Sequence, residues 1–181
     1  MTEYGYTLMC EQTGPKQLVA DAQRAEDAGF DFAVISDHYF PWLDEQGHSP
    51  YAWSVLGAVA HATERMGLMT YVGQVPLCYD TDETAARQRA HEQFRWFAGG
   101  WPVNAELPGP TSFDAASQFA TEDDLAEQIA CGPDVDRHVE SIKEFVDAGF
   151  THVALVQVGG GQQDEFNQWA EAKLLPALRS L

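Results

Sequence analysis

The pattern of apolar and polar residues divides the chain into segments with helical spacing and short runs that are apolar at every position. Residues 32–35 (Phe-Ala-Val-Ile) form such a run, which is typical of a strand covered on both faces in a parallel sheet. The segment before it has apolar residues at helical spacing and ends at Gly29, a residue type that readily closes a helix. Asp37 and His38 follow the run. Because α/β folds hold their chemistry at the carboxyl ends of strands, both are candidate site residues.

The four residues that end this first helix recur near the other end of the chain. Residues 27–30 and 147–150 are both Asp-Ala-Gly-Phe, and each copy joins a helix-like segment to an apolar run. Two copies so widely spaced do not make a solenoid. They indicate repeated αβ units of one sheet, and we expect an α/β fold in a single domain, residues 1–181.

The same patterns predict about five strands, mostly parallel, with helices between them. Strands are expected at residues 6–10, 32–35, 68–72, 128–131 and 153–158, and helices at 15–28, 51–66, 82–97, 134–148 and 164–178. Residues 98–119 contain several Gly and Pro residues, so we expect an irregular segment there. Thr121 followed by Asp124 is typical of a capping box at the start of a helix.

Residues 68–80 hold two strand-like runs separated only by Gly73 and Gln74. A parallel crossover needs a dozen or more residues, and two residues cannot supply one. Three arrangements therefore stay open: one long strand, a tight antiparallel hairpin, or a crossing point between two subunits. Pro76 argues against a central position that is hydrogen-bonded on both sides.

Composition and charge narrow the class of protein. The 181 residues are 45% hydrophobic and contain no run of about 18 apolar residues, so we expect a folded protein without a transmembrane helix. The first residues show no basic and apolar signal pattern, and we therefore predict a cytoplasmic location. A net charge of −18, from 28 acidic and 10 basic residues, disfavours nucleic acid and anionic membranes as partners, because both bind basic surfaces.

Neither the cysteines nor the histidines show the spacing of a metal site. Cys10, Cys78 and Cys131 are odd in number and far apart, so they resemble neither a zinc site nor a redox pair. We interpret them as small buried hydrophobic residues. Five further histidines lack ligand spacing, and we expect no metal at His48, His61, His91, His138 or His152.

Several short stretches resemble the luciferase-like family of TIM-barrel oxidoreductases, in the branch that uses the deazaflavin coenzyme F-420 and is related to its glucose-6-phosphate dehydrogenases. The most specific is Ser-Asp-His-Tyr-Phe-Pro-Trp at residues 36–42. The others are Glu-Gln at 11–12, Gly-Pro at 14–15, Gly-His-Ser-Pro-Tyr at 47–51, Met-Thr-Tyr-Val at 69–72 and Cys-Gly-Pro-Asp at 131–134. The resemblance covers residues 5–72 and 74–180. It implies a (βα) barrel and hydride transfer between the cofactor and a small substrate.

The chain departs from that family by a large internal deletion after Val72. A closed eight-stranded barrel typically has about 250 residues, whereas this sequence continues after Val72 with a piece that resembles the sixth strand. The predicted fold class is therefore a truncated, open (βα) barrel of about five mostly parallel strands, related to the TIM barrel. Because an open sheet exposes two edges, we expect a homodimer that completes it, with elements exchanged near Gly73.

Asp37 and His38 are the first candidates for chemistry. An imidazole titrates near neutral pH and can pass a proton to or from a substrate hydroxyl. The resemblance implies that His38 lies beside the deazaflavin ring and that Asp37 positions the cofactor. In the alternative interpretation Asp37 caps a turn and His38 bonds a backbone group.

Glu11 and Trp42 complete the catalytic candidates. Glu11 follows the first strand, so it would face the same pocket as His38 and form an acid–base pair, or it would accept hydrogen bonds from loop backbone. Trp42 would form a wall against a flat tricyclic ring and offer an N–H donor, or it would belong to a packed aromatic loop over the barrel end.

The cofactor-binding candidates are Asp37, His38, Thr70, Tyr71 and Val72. The last three align with the place where the resembling family has a bulge behind the cofactor ring. The implied cofactor is coenzyme F-420, with flavin mononucleotide as the alternative. Three glycines at residues 159–161 resemble the phosphate-binding corner of a barrel, and a flexible loop is the other interpretation.

Two functions stay open at the level of sequence. In the first the chain is a deazaflavin- or flavin-dependent oxidoreductase acting on a small-molecule substrate. In the second it is a non-catalytic homodimeric scaffold or binding module that retains the fold and binds no cofactor. The second interpretation arises because the region missing after Val72 holds part of the cofactor's phosphate tail in the resembling family.

Overall fold

Six strands form one sheet in the computed structural model of the chain, which describes residues 2–37, 40–69 and 73–181. The strands are β1 Glu3–Leu8, β2 Phe32–Ile35, β3 Gly67–Met69, β4 Gly73–Cys78, β5 Ala130–Cys131 and β6 His152–Gln157. Their order across the sheet is β3-β2-β1-β6-β4-β5, and every neighbouring pair among the described residues is parallel. The predicted α/β class and open parallel sheet are confirmed, with six strands rather than about five.

Helices follow most of the strands. They are α1 Pro15–Ala28, α2 Ala52–Ala62, α3 Glu83–Phe94, α4 Gly100–Asn104, α5 Pro110–Ser117, α6 Glu122–Gln128, α7 Val135–Asp147, α8 Gln163–Trp169 and α9 Leu175–Leu178. A π-helical segment, Ala170–Leu174, joins α8 to α9. The expectation of an irregular segment at 98–119 was wrong, because α4 and α5 lie there. Pro110 occupies the first turn of α5, where proline is tolerated because its missing N–H is not needed.

Local signals in the sequence place several helix ends. Gly29 and Gly149, the glycines of the repeated Asp-Ala-Gly-Phe, have φ angles of +93° and +91°, a left-handed conformation that glycine adopts without strain. The capping box at the start of α6 is confirmed. The Thr121 hydroxyl accepts from the Asp124 N–H at 3.2 Å, and the Asp124 carboxylate accepts from the Thr121 N–H at 2.8 Å.

The segment 68–80 divides into two strands that lie far apart in the sheet. β3 pairs with β2, and β4 lies between β6 and β5, so the single long strand and the antiparallel hairpin were both wrong. The linking residues 70–72 lie outside the described residues, and a crossing between subunits stays a prediction. Pro76 is paired on its β6 side, whereas β5 reaches only Leu77 and Cys78. The proline therefore avoids a position bonded on both sides.

The order of the strands requires the sheet to curve. Three strands separate β3 from β4, which in a flat sheet would place them about 19 Å apart at about 4.8 Å per strand. The four peptide units from Met69 to Gly73 span at most about 14 Å. The sheet therefore bends like part of a barrel, with the end of β3 approaching the start of β4. Since β6 lies beside β1, β4 takes the seventh position of an eight-stranded barrel rather than the expected sixth.

Each face of the sheet has its own apolar cluster. The outer face contributes residues such as Tyr6, Ile35 and Leu155 to the larger cluster, which also contains buried residues of α1, α2, α7 and α8. The opposite, inner face carries Val34, Ala154 and Val156. At its carboxyl half Val156 and Cys78 pack with apolar residues of α3 and α6, which are Ala86, Ala90, Phe94 and Leu125. We call residues 79–129, which contain α3 to α6, the helical cover.

A close approach on the inner face depends on Gly5. Gly5 lies opposite Phe32 in the β1–β2 ladder, and a Cβ atom at Gly5 would stand 2.1 Å from the Phe32 ring. Phe32 is 1% exposed. The aromatic ring therefore lies directly on the strand backbone, in space that only glycine leaves free.

Candidate functional site

A cavity of about 730 Å³ opens at the carboxyl ends of β1, β2 and β6. The loops after these strands contribute Gln12, Gln46 and Gly160 to its walls, and the last turn of α3 and the turn after it contribute His91 and Arg95. Its volume lies within the usual range for small-molecule and cofactor sites, about 300–1,000 Å³. The cavity thus lies at the edge where parallel α/β sheets hold ligands.

Gln12 carries an amide group that is only half satisfied. Its Oε1 atom accepts a hydrogen bond from the Gly159 N–H at 3.2 Å, which ties the loop after β1 to the loop after β6. Its Nε2 atom is buried and has no hydrogen-bond partner among the described residues. Since a buried donor without a partner costs about 1–3 kcal/mol, this amide is a natural donor to a bound molecule. Sequence analysis named Gln12 only as part of the resemblance.

Gln46 connects the loop after β2 to the helical cover. Its Oε1 atom accepts from the Leu43 N–H at 3.0 Å, and its Nε2 atom donates to the Gln93 backbone oxygen at 3.5 Å. Gln46 is 7% exposed. A buried amide therefore joins the wall of the cavity on the sheet side to the wall on the cover side.

The basic groups named in the cavity wall are held by partners on the cover and, for Arg95, also by Glu45 in the loop after β2. Arg95 pairs with Asp114 at 2.5 Å and with Glu45 at 3.5 Å, and it donates to the Glu92 backbone oxygen at 2.8 Å. The Nε2 atom of His91 lies 2.8 Å from the Ala120 backbone oxygen. These contacts fix the shape of the cavity rim, and they leave a ligand to be bound mainly by neutral amides and backbone groups.

Glu11 is completely buried one turn beyond β1. Its Oε1 atom accepts from the Ser36 hydroxyl at 3.5 Å, and its backbone oxygen accepts from the His48 N–H at 3.2 Å. Ser36 directly follows β2 and precedes Asp37, which is exposed. The structure therefore brings Glu11 to the end of β2, close to the sequence position of the predicted site. The contact with loop backbone is made by the main-chain oxygen of Glu11, so both interpretations of its carboxylate stay predictions.

Trp42 lies in an aromatic cluster over the carboxyl end of the sheet. Its ring stacks on Trp96 with a centroid distance of 4.5 Å and meets the edge of Phe113 at 4.9 Å. Trp96 and Phe113 belong to the helical cover, and Phe113 lies in the segment 98–119 that was expected to be irregular. The packing agrees with the interpretation of an aromatic loop over the barrel end, and a contact of Trp42 with a cofactor ring stays a prediction.

Four of the predicted site residues lie outside the described residues. They are His38, the first catalytic candidate, and Thr70, Tyr71 and Val72, the candidates behind the cofactor ring. Their predicted roles stay predictions. In the sequence His38 follows the carboxyl end of β2, and Thr70 follows the carboxyl end of β3.

Arg89 is a residue of this edge that sequence analysis missed. Its guanidinium group pairs with the Asp80 carboxylate and donates to the Tyr79 backbone oxygen at 3.4 Å. Its side chain lies against Gly159, whose φ angle is +104°, and a Cβ atom there would stand 2.4 Å from Arg89 Cδ. Burial alone would raise the pKa of Asp80, but the Asp82 N–H and the Arg89 guanidinium outweigh it and lower that pKa. The loop at residues 159–161 is therefore partly covered by Arg89, whose charge is paired with Asp80.

Two of the three cysteines face each other across the sheet. Cys78 on β4 lies directly opposite Cys131 on β5, and both side chains belong to the inner-face cluster. All three cysteines are free and buried. Burial raises the pKa of Cys78 to about 12 and the pKa of Cys131 to about 11. The expectation of burial is confirmed. The opposition of Cys78 and Cys131 was not predicted, because spacing along the chain does not reveal neighbours across a sheet.

Metal clusters and membrane-spanning helices are both absent from the part of the chain that the structure describes. Across residues 2–37, 40–69 and 73–181, no group of three or more His, Cys, Asp or Glu side chains is arranged to hold a metal ion. In the same ranges no helix is both long enough and apolar enough to span a membrane.

The amino-terminal part of the chain is similar to known proteins. Residues 2–78 match the family model described as luciferase-like monooxygenase. Over 72 residues the chain is 44% identical to an F420-dependent glucose-6-phosphate dehydrogenase of Amycolatopsis mediterranei and 46% identical to one of Intrasporangium calvum. Each match covers 40% of this chain and 22% of the relative. The chain thus matches about a fifth of the length of these curated relatives.

A solved structure resembles the chain over almost its whole length. It is an F420-dependent secondary alcohol dehydrogenase in complex with an F420-acetone adduct, and it superimposes with a TM-score of 0.79. The match covers 98% of this chain and 99% of that chain at 14% sequence identity. At this identity the likeness concerns the fold alone. It confirms that the curved six-stranded sheet and its helices are related to the barrel of such an enzyme.

Proposed function

We propose that the chain belongs to the luciferase-like family, whose model matches residues 2–78, and that it is a deazaflavin-dependent oxidoreductase. In this proposal it transfers hydride between coenzyme F-420 and a small-molecule substrate at the carboxyl edge of the sheet. The names of the curated relatives and of the similar structure, all F420-dependent dehydrogenases, support the choice of cofactor. Flavin mononucleotide is the alternative ring.

The observation that carries the proposal is the cavity beside Gln12. It lies at the ends of β1, β2 and β6, and it has room for a tricyclic ring. The buried Gln12 Nε2 atom supplies a donor that a carbonyl or ribityl oxygen of such a cofactor would satisfy. The residues present therefore fit a flat, polar-edged group, whereas an empty apolar void would not need this amide.

In this proposal each candidate residue of the chain has a separate role. Asp37 and His38 follow β2 in the sequence, and His38 would take or give the substrate hydroxyl proton. Glu11 would orient that imidazole from its buried position beside Ser36. The bound deazaflavin would supply the hydride chemistry. Trp42 would keep water from the site, since it packs with Trp96 and Phe113 over the sheet end.

The test is a titration of the purified protein with coenzyme F-420, followed by quenching of the coenzyme fluorescence. Saturable binding is expected. Gln12→Ala should bind the coenzyme about tenfold more weakly, because one hydrogen bond to the ligand is lost. Gln88→Ala is the matched control, because Gln88 is exposed on α3 and its side chain donates to Glu92 at 2.8 Å. Flavin mononucleotide is titrated in parallel.

A second measurement separates binding from chemistry. His38→Ala should retain cofactor binding and lose hydride transfer when sugar phosphates and small alcohols are screened as substrates. Asp37→Ala should weaken cofactor binding instead. If neither ring binds even at high protein concentration, the oxidoreductase proposal fails and a non-catalytic function takes its place.

A non-catalytic homodimeric scaffold is the second candidate function, and an exposed apolar surface on α2 favours it. The α2 surface consists of Tyr51, Trp53, Gly57 and Ala60, all exposed, with Tyr51 at 64% and Trp53 at 58%. Helix α2 contains no Asp, Glu, Lys or Arg, although the chain carries a net charge of −18. A helix that is apolar all round is normally buried. The α2 surface is therefore where a second copy of the chain would approach with least repulsion.

The position of α2 strengthens this choice of partner. It packs on α1 and precedes the edge strand β3, so a second copy bound there would also shield an open edge of the sheet. Sedimentation velocity should show a dimer that Trp53→Lys converts to a monomer. Phe119→Lys is the control, because Phe119 is 89% exposed on the helical cover and away from α2. A wild-type monomer at high concentration would exclude the dimer.

A further inference from the structure

The opposed cysteines of β4 and β5 have a geometry that can be cross-linked. Paired residues on neighbouring strands have Cα atoms about 4.8 Å apart, within the range of about 4.4–6.8 Å found for disulfides. Cys78 and Cys131 are such a pair, and their side chains point to the same face because both enter the inner-face cluster. Cys10 lies in the other cluster, where its thiol donates to the Ser36 oxygen at 3.2 Å.

The two thiols have different surroundings. Cys131 is on β5, which is two residues long and stands at the edge of the sheet, and its Sγ lies 3.4 Å from the Ile129 oxygen. Cys78 is on an inner strand and has the Arg89 Nη1 atom 3.7 Å from its Sγ. A guanidinium at that distance stabilises the thiolate form of Cys78.

We propose that Cys78 and Cys131 form a reversible disulfide. The bond forms by exchange with a small-molecule disulfide of the glutathione type, and a thiol reduces it again. No residue of the pair belongs to the proposed cofactor site, so the proposal is independent of the enzymatic function. Sequence spacing gave no sign of it, since the two residues become neighbours only when β5 adds to the edge of β4.

The chemistry proceeds in two exchanges that balance. When β5 opens, the Cys131 thiolate attacks one sulfur of the small disulfide, forming a mixed disulfide and releasing one small thiolate. When β5 closes, the Cys78 thiolate attacks the Cys131 sulfur and displaces the second small thiolate. The two cysteine protons end on the two small thiols. The protein loses two electrons, and the small disulfide gains them.

Local opening of β5 is the step that admits the oxidant. In the closed form Cys78 and Cys131 are 0% and 2% exposed, so a solution reagent does not reach them. β5 is held to the sheet through two paired positions, Leu77–Ala130 and Cys78–Cys131, together with the Gly132 N–H bond to the Cys78 oxygen. An edge of this length opens without unfolding the rest of the sheet. Oxidation is therefore slow, and it is faster at alkaline pH, where more thiolate forms.

The cross-link would act on the helical cover. Residues 79–130 form the loop that it closes, and this loop includes the cover residues His91, Gln93 and Arg95 of the cavity wall. Closing a loop of this length removes conformational freedom from the unfolded chain. We expect the unfolding midpoint of the oxidised protein to rise by roughly 5–10 °C.

The experiment is oxidation of the native protein with glutathione disulfide, followed by mass spectrometry of unreduced tryptic peptides. Trypsin cuts after Lys16, Arg65, Arg87, Arg95 and Arg137, so the three cysteines fall on three separate peptides. The expected product is a peptide containing Cys78 joined to one containing Cys131, with two hydrogens lost and with separation on reduction. A joined peptide containing Cys10, or mixed disulfides alone, would overturn the proposal.

Variants sharpen the result. Cys10→Ala should form the cross-link at an unchanged rate, whereas Cys131→Ala should form none and should show no oxidative rise in the unfolding midpoint. Arg89→Gln should accumulate the mixed disulfide on Cys131, because the second exchange lacks a stabilised Cys78 thiolate. If Cys131→Ala does not fold, the peptide map of the wild-type chain decides alone. Equal oxidation of all three cysteines only in denaturant would contradict a native-state pair.

Discussion

The amino-terminal segment, residues 2–69, and the helical cover, residues 79–129, are built on different principles. The amino-terminal segment alternates strands and helices with short connections, and each strand pairs with one that is near in sequence or at the closing end of the chain. The cover contains helices only, and it packs against the inner face of β4 and β6. The matched family segment, residues 2–78, covers the first region and continues through β4, and it does not include the cover.

The helical cover explains how an incomplete barrel stays folded. The inner face of a closed barrel is filled by side chains from all eight strands. Here six strands are present, and α3 and α6 bring Ala86, Ala90, Phe94 and Leu125 to the inner face instead. The cover thus replaces apolar contacts that absent strands would have made, and it forms one wall of the cavity at the same time.

Removing a large side chain from the cover should have the largest effect. Phe94 is 3% exposed in the inner-face cluster, and Phe94→Ala should lower the free energy of unfolding by about 3–5 kcal/mol. Phe119→Ala, at an 89% exposed position of the same segment, should change it by less than about 0.5 kcal/mol. Urea titrations followed by circular dichroism give both values. An equal response of the two variants would contradict the role of the cover.

The second prediction concerns the sheet rather than the cover. Gly5→Ala places a Cβ atom against the Phe32 ring and should cost about 2–3 kcal/mol through overpacking. Gly57→Ala is the control, because nothing lies within 4 Å of the new Cβ on helix α2, and it should stabilise by about 0.5–1 kcal/mol. Both follow from the same urea measurement. A neutral Gly5→Ala would mean that the ring is free to move off the strand.

Glu26 makes a contribution to the stability of the amino-terminal segment that depends on pH. Its carboxylate accepts from the N–H groups of Glu64, Arg65 and Met66 at 2.5–3.1 Å. Burial alone would raise the pKa of Glu26, but these N–H groups outweigh it and lower that pKa. The stabilisation is therefore present above the unfolded pKa of about 4.3 and is lost as pH falls through the folded value.

Glu26→Gln should accordingly cost about 1–2 kcal/mol at pH 7, since the charge of the acceptor is lost. The difference from wild type should shrink at acid pH, where the wild-type carboxyl is also neutral. Glu127→Gln, at an exposed position of α6, should show little effect at either pH. Urea midpoints at pH 7 and under acid conditions test the sign, and a difference that grows on acidification would refute it.

The smallest effect is expected at a helix cap of the cover. Thr121→Ala removes the side chain that accepts from the Asp124 N–H and should cost about 1 kcal/mol. Thr121→Ser keeps the hydroxyl and should behave like wild type. Hydrogen exchange of the α6 amides measures the local effect. Unchanged exchange in Thr121→Ala would show that packing of Leu125, and not the cap, holds this helix.

The residues that sequence analysis placed correctly are those whose surroundings are local. The run 32–35 is a strand, Gly29 closes α1, and Thr121 with Asp124 starts α6, because each depends on neighbours within one or two turns. Residues 110–117 were mistaken for an irregular segment, since α5 is stabilised by contacts such as Phe113 with Trp42 that the sequence does not reveal.

The candidate site was predictable only in part for the same reason. Glu11 lies where the strand-end rule expects it, beside the residue that follows β2. The half-satisfied amide of Gln12, the position of Arg89 over Gly159 and the opposition of Cys78 to Cys131 all arise from contacts between distant segments. Such contacts depend on the order of strands in the sheet, which periodicity along the chain does not report.

The bend of the sheet has a consequence for changes in chain length. Because the carboxyl end of β3 and the amino end of β4 are joined by four peptide units, the curved sheet holds two otherwise remote strands within reach of a single covalent junction. The junction therefore acts as a tether on the curvature. Each residue inserted there would let the two strand ends separate by up to about 3.5 Å, so a few added residues would permit the sheet to flatten.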